Sequence, residues 1–234
     1  MSTVLLVRHG RTTANASGTL AGWMPGVDLD EKGRSQAEAL ALRLSPVSLA
    51  AIVSSPLDRT RQTAEVLAVG REPAVPLHLD EGIGECHYGD WTGKSLKDLA
   101  RSPEWRVVQA HPSAAKFPGA EGESMAAMAH RAVACVRSWN ETLGPEATYV
   151  VVSHGDVIKA IVADAVGLHL DMFQRLQIDP CSLSVVHYTP MRPFVERIND
   201  SGGSVAALIS PKRRSRRKSK PASGDAVVGG GAGA

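Results

Sequence analysis

The residues of this chain that could do chemistry stand where apolar runs stop. Leu5-Leu6-Val7 leads into Arg8-His9-Gly10, and Val150-Val151-Val152 leads into Ser153-His154-Gly155-Asp156. A neutral imidazole is nucleophilic near pH 7 and can carry a phosphoryl group. An arginine fork beside it suits phosphate oxygens. A single Arg-His-Gly reads better as a satisfied strand-end histidine and a turn glycine. The second copy changes the reading, because Gly155 opens a helix and helix N-termini also favour anions. A third run, 49–54, leads into Ser54-Ser55-Pro56-Leu57-Asp58-Arg59-Thr60-Arg61, a helix start with Pro56 near its first position. Cations there oppose the helix dipole, so Arg59 makes better sense reaching an anion in the same crevice. Arg61 faces elsewhere and is expected at the surface.

A leaving alkoxide needs a proton, and Glu85 in Glu85-Cys86-His87-Tyr88-Gly89 can give one and later take one from water. Glu81 and Asp80 are its neighbours and its rivals. His87 and Tyr88 either line a substrate pocket or pack under the segment that follows. Two histidines and a carboxylate could also hold a metal. The chain has no HxxxH or paired-aspartate spacing, and a metal would share its pocket with Arg8 and Arg59, so neither metal nor cofactor is expected.

Residues at the ends of strands need a sheet to position them. Short β-rich runs at 3–7, 49–54, 75–79, 148–153, 183–188 and 195–199 alternate with helical patterns at 31–44, 57–69, 124–143 and 157–166. That alternation predicts an α/β fold, a three-layer α/β/α sandwich around a mostly parallel sheet of about six strands. In such sheets the carboxyl ends of the strands face the ligand crevice, which is where the histidines fall. Segment 89–123, with weak helices near 94–99 and 104–110, reads as a short helical insertion over the active site.

Of the 234 residues 43% are hydrophobic and 21% charged, which excludes a wholly disordered chain. The net charge of +2 divides unevenly. Residues 1–210 carry 19 Lys and Arg against 23 Asp and Glu, whereas 211–234 carry 7 against 1. The first part is expected to be one domain and the second a disordered basic tail that leaves contact with nucleic acid open but not favoured. The first apolar run breaks at Arg8, too early for a secretory signal, and no run approaches the ~20 apolar residues of a membrane span. Cys86, Cys135 and Cys181 form no CxxC and suit free thiols in a cytoplasmic protein.

Four separated segments together carry a resemblance. Arg8-His9-Gly10-Arg11-Thr12-Thr13-Ala14-Asn15, the segment from Ser54 to Ala64, Glu85 to Gly93, and Ser153-His154-Gly155-Asp156 occur in the order found in the histidine phosphatase superfamily, the phosphoglycerate mutase-like proteins. The likeness spans about residues 1–200. It implies that His9 takes the phosphoryl group and that Arg8, Arg59 and His154 bind its oxygens. Glu85 would then be acid and base, and Asn15, which ends the first motif, would line the phosphate pocket.

Within that family the chain can be a hydrolase or a bisphosphoglycerate-primed mutase. The mutases it resembles at Glu85-Cys86-His87-Tyr88-Gly89 have a longer insertion with a tryptophan followed by two arginines. Here Trp105-Arg106 is followed by Val107, and the insertion ends early at Pro118-Gly119 and Gly122-Glu123-Ser124. The phosphatase branch is the expectation: a metal-independent phosphomonoesterase working through phospho-His9 on small phosphorylated metabolites. Phosphoglycerate mutase is the alternative. Lys94, Lys97, Arg101, Arg106 and Lys116 suggest a cationic lid, and a homodimer is left open.

Overall fold

The computed structural model describes residues 1–202. The domain limit at 210 and the basic tail lie outside the described residues. Six strands, β1 (Ser2–Arg8), β2 (Ala51–Ser54), β3 (Leu77–Leu79), β4 (Thr148–Ser153), β5 (Leu183–Tyr188) and β6 (Pro193–Asp200), form one sheet in the order β3-β2-β4-β1-β5-β6. The β1–β4, β2–β4 and β2–β3 pairs are parallel; β5 runs antiparallel to β1 and β6. This is the mostly parallel α/β sheet that the alternation of runs predicts.

Helices α2 (Glu31–Leu44) and α3 (Asp58–Ala68) cover one face of the sheet, and α6 (Met125–Leu143) and α7 (Gly155–Ala165) the other. The pleat of the strands sorts the core. Leu5, Val7, Ile52, Val150 and Val152 pack toward α2 and α3. Their alternating neighbours Val4, Leu6, Val53, Tyr149 and Val151 pack toward α6 and α7, as the two-residue period of a strand requires. α7 is buried along most of its length, so its apolar run follows from lying between the sheet, α6 and residues 170–175.

Three departures from the sequence reading have local causes. α7 begins at Gly155 rather than 157 because His154 sits in extended backbone as its N-cap. β3 shrinks to three exposed residues at the sheet edge, following Pro73 and Pro76, which cannot donate to a ladder. α3 starts at Asp58 with Leu57 as its cap, so Pro56 lies before the helix rather than at its first position. A short α1 (Thr13–Ser17) was not expected: it buries no side chain and has no apolar period, and rests on a capping box between Thr12 and Asn15. The segment after Gly89 holds α4 (Leu96–Leu99) and α5 (Pro103–Ala110). Its rings pack edge-on, Tyr88 to Phe117 at 4.8 Å and Trp91 to Phe117 at 5.3 Å, and so join the α6–α7 side of the core. All three cysteines are free thiols.

Candidate active site

Parallel pairing of β1 with β4 sets Arg8 against Ser153, so the residues that follow, His9 and His154, leave the sheet side by side. Their rings lie 5.3 Å apart, centroid to centroid, and both are buried. The turn after β1 is held tightly. His9 N–H donates to the Ser153 carbonyl at 3.0 Å, the Cys181 N–H donates to Arg8 O at 3.0 Å, and Gly10 N–H donates to Thr63 Oγ1 at 3.1 Å. Gly10 lies against Gly33, where a Cβ would come within 2.5 Å of the Gly33 carbonyl oxygen. Only glycine lets the turn pass under the start of α2 at that distance.

The His9 ring is fixed by a bond of 2.7 Å between Nδ1 and the Gly10 carbonyl. A carbonyl only accepts, so Nδ1 carries the proton and Nε2 keeps its lone pair. Burial, then the charges of Arg59 and Arg8, hold His9 well below the ordinary imidazole range. The nucleophilic form is therefore its resting form. Arg8, fully buried, donates from Nη1 to Ile178 O at 2.8 Å. Arg59, 2% exposed, donates from Nη2 to Gly22 O at 2.8 Å and to His154 Nδ1 at 3.3 Å. Its Nη1 is buried with no hydrogen-bond acceptor among the described residues. Arg61 instead lies at the surface, paired with Asp58 and Glu65.

Because a guanidinium cannot accept, His154 Nδ1 holds a lone pair and Nε2–H donates to Ser55 Oγ at 2.8 Å. Burial first, then Arg59 and His9, lower its pKa as well. Gly155 opens α7, whose N-terminus has no side-chain cap and directly follows His154. Glu85 is 4% exposed; its Oε1 accepts from Cys86 N–H at 3.0 Å and its Oε2 lies 3.7 Å from His154 Nδ1. Burial drives this carboxyl up to about 7, with Asp156 helping and Arg59 opposing. Its rivals are engaged elsewhere or set away: Asp80 accepts from Gly82 N–H and Trp139 Nε1, and Glu81 is exposed.

The structure thus brings Arg8, His9, Arg59, Glu85, His154 and Gly155 together. Asn15 stands differently, its Oδ1 taken by the Thr12 N–H at 3.1 Å and the Thr12 hydroxyl at 3.0 Å. Four contributors went unnoticed in the sequence. Ser55 and the Gly22 carbonyl hold His154 and Arg59. Trp23 Nε1 and Arg131 both donate to the Glu85 carbonyl. A cleft of about 510 Å³ is lined by the Trp23 and His87 rings, stacked at 4.4 Å, with Tyr88, Asp90, Thr92 and Glu121. His87 lines this cleft, while the Tyr88 ring both lines it and packs on Phe117. Lys94, Lys97, Arg101, Arg106 and Lys116 are exposed and do not line it. The cationic lid suggested by their charges is not what faces this cleft.

A neutral imidazole set among buried guanidinium groups, with a near-neutral carboxyl opposite, belongs to enzymes that move phosphoryl groups. The chain belongs to the histidine phosphatase superfamily (branch 1), whose family model matches residues 4–201. It is 32% identical over 206 residues to phosphoserine phosphatase 1 of Hydrogenobacter thermophilus, covering 85% of this chain and 92% of the relative. It is 31% identical to a probable phosphoglycerate mutase of Cronobacter sakazakii, covering 90% and 97%. Among solved structures it is similar to the YhfR protein of Bacillus stearothermophilus, with a TM-score of 0.78 and 29% identity over 86% of this chain and 98% of that one. Among the described residues no helix is long and apolar enough to cross a membrane, and no group of three or more His, Cys, Asp and Glu is placed to hold a metal ion.

Proposed function

We propose that the chain hydrolyses small phosphomonoesters through phospho-His9 without a metal. The observation that carries this is the His9 ring, fixed by Gly10 with Nε2 unprotonated and flanked by Arg8 and Arg59. In the first half-reaction His9 Nε2 forms a bond to phosphorus as the bond to the leaving oxygen breaks, and Glu85 gives that oxygen its proton. In the second, Glu85 takes a proton from water as the water oxygen attacks phosphorus and the P–N bond breaks. A carboxyl titrating at about 7 can serve in both directions near neutral pH.

Arg8, Arg59 and the N-terminus of α7 at Gly155 supply the positive field in which the equatorial oxygens gain charge. The unpartnered Arg59 Nη1 is a donor for one of them, and His154, beside His9, completes the wall of the phosphate site. Asn15, whose oxygen is held by Thr12, keeps its amide N–H groups for the phosphate. The setting proposed is the cytoplasm, where free thiols stay reduced. Phosphoserine phosphatase 1 and the probable mutase named above set the two substrate readings. The short insertion favours hydrolysis, since Trp105-Arg106 is followed by Val107 where the mutases carry a second arginine.

The test is to assay the parent and His9→Ala on p-nitrophenyl phosphate, and on 3-phosphoglycerate with 2,3-bisphosphoglycerate, all in EDTA. Phosphate release by the parent alone, without isomerisation, is expected. Fast isomerisation with slow hydrolysis would favour the mutase, and activity only after metal addition would remove the phosphohistidine step.

A further inference from the structure

The loop that carries Glu85 has no regular secondary structure between Gly84 and Tyr88, yet a general acid must be held within a fraction of an ångström to work. What holds it comes from α6. Arg131 spreads its guanidinium under the loop: Nη1 donates to Gly82 O at 3.0 Å and Gly84 O at 2.8 Å, and Nη2 donates to Glu85 O at 2.9 Å. The same fork is gripped from the other side by Glu123, with Nε to Oε1 at 2.8 Å and Nη2 to Oε2 at 2.9 Å. Glu123 Oε2 also accepts the His87 N–H at 3.2 Å. One ion pair therefore fixes the carbonyl of the acid and the backbone two residues beyond it. Both side chains are mostly covered, at 24% and 13% exposure, so solvent screens the pair less than a surface bridge.

This also explains the segment that closes the insertion. Ser124 caps α6 by accepting from Ala127 N–H at 3.0 Å, which starts the helix two turns before Arg131, while Glu123 meets Arg131 across those turns. We propose that Arg131 and Glu123 are positioning residues for Glu85: they set where its carboxyl stands relative to the leaving oxygen and never touch the substrate. The inference rests on Glu85 being the proton donor.

The experiment compares kcat/KM on two esters of unequal need. A simple alkyl phosphomonoester leaves as a strongly basic alkoxide and requires the proton. p-Nitrophenyl phosphate leaves as a stabilised phenolate and does not. Arg131→Lys keeps the charge but loses the fork, and should lose about 100-fold on the alkyl ester, the size expected for a misplaced catalytic group, with about 3-fold or less on the aryl ester. Glu123→Gln, which keeps the size, should lose in the same sense by a smaller factor and stands in if Arg131→Lys does not fold. In both variants the fall of kcat/KM at high pH should move to lower pH, because a loosened loop admits water to the Glu85 carboxyl. Equal losses on both esters, or none with an unmoved pH profile, would overturn the proposal. Glu85→Gln run alongside separates the two readings. If it shows the selective loss and the Arg131 and Glu123 variants do not, the positioning role falls alone; if it too lacks selectivity, the assignment of Glu85 as acid falls and takes the positioning role with it.

Discussion

Replacing Glu85 by glutamine removes a proton-binding site while keeping the volume of the side chain. The folded chain holds this carboxyl at about 7, against an ordinary value of 4.5. Folding therefore takes up a proton between those two values. The stability this contributes is fully present below 4.5 and is lost as pH rises toward 7. At about 1.4 kcal/mol per pH unit the gap is worth about 3 kcal/mol. Glutamine does not titrate, so Glu85→Gln should gain about 3 kcal/mol relative to the parent across this window and hold that gain at higher pH. Urea unfolding of both proteins at a series of pH values measures the difference, in which every other titrating group cancels. The same variant should lose on the order of 10²-fold or more on an alkyl phosphomonoester. Two stability curves that stay parallel through the window would refute the account of a carboxyl kept protonated by burial.

Two further outcomes follow from the same geometry. The kcat/KM profile should fall above about 7, as Glu85 loses its proton, and show no loss assignable to His9 protonation near 6.5, because burial and two arginines hold that ring neutral well into acid; a rate that drops on the acid side of 6.5 with substrate ionisation accounted for would contradict it. Ser55→Ala should cost about 1–3 kcal/mol in urea unfolding, since it strands the buried His154 Nε2–H, and an unchanged midpoint would mean that the donor finds another acceptor.

Legibility in the sequence tracked how locally each feature is encoded. Arg8, His9 and His154 could be read because strand ends announce themselves as apolar runs that stop, and parallel neighbours bring such ends together. Arg59 could be read because a cation in a first helical turn is locally unfavourable. The helices that carry apolar stripes were legible to within two residues at each end, and 31–44 to the residue. Features built by single polar contacts over distance were not. Ser55 meets His154 across 99 residues, Trp23 meets Glu85 across 62 and Arg131 meets Glu85 across 46; no periodicity records such pairings. Asn15 shows the opposite case, a residue picked out by motif whose oxygen is occupied in a local cap, a Thr-x-x-Asn pattern that the sequence contained.

The in-register pairing of β1 with β4 makes alignment of the sheet a working part of the enzyme. Successive residues on a strand point to opposite faces, so a slip of one position between these two strands would leave His9 and His154 on opposite sides of the sheet with every residue type unchanged. The two strands are central, flanked by β2 and β5, and their alternating residues fill two separate cores, so neither can slide without exposing both. The residues that change most cheaply are exposed ones outside this lock, such as Asp90 and Glu121, which line the cleft and not the histidine pair. Substrate preference can therefore diverge among chains of this design while the phosphoryl-transfer step stays tied to the folding of the sheet itself.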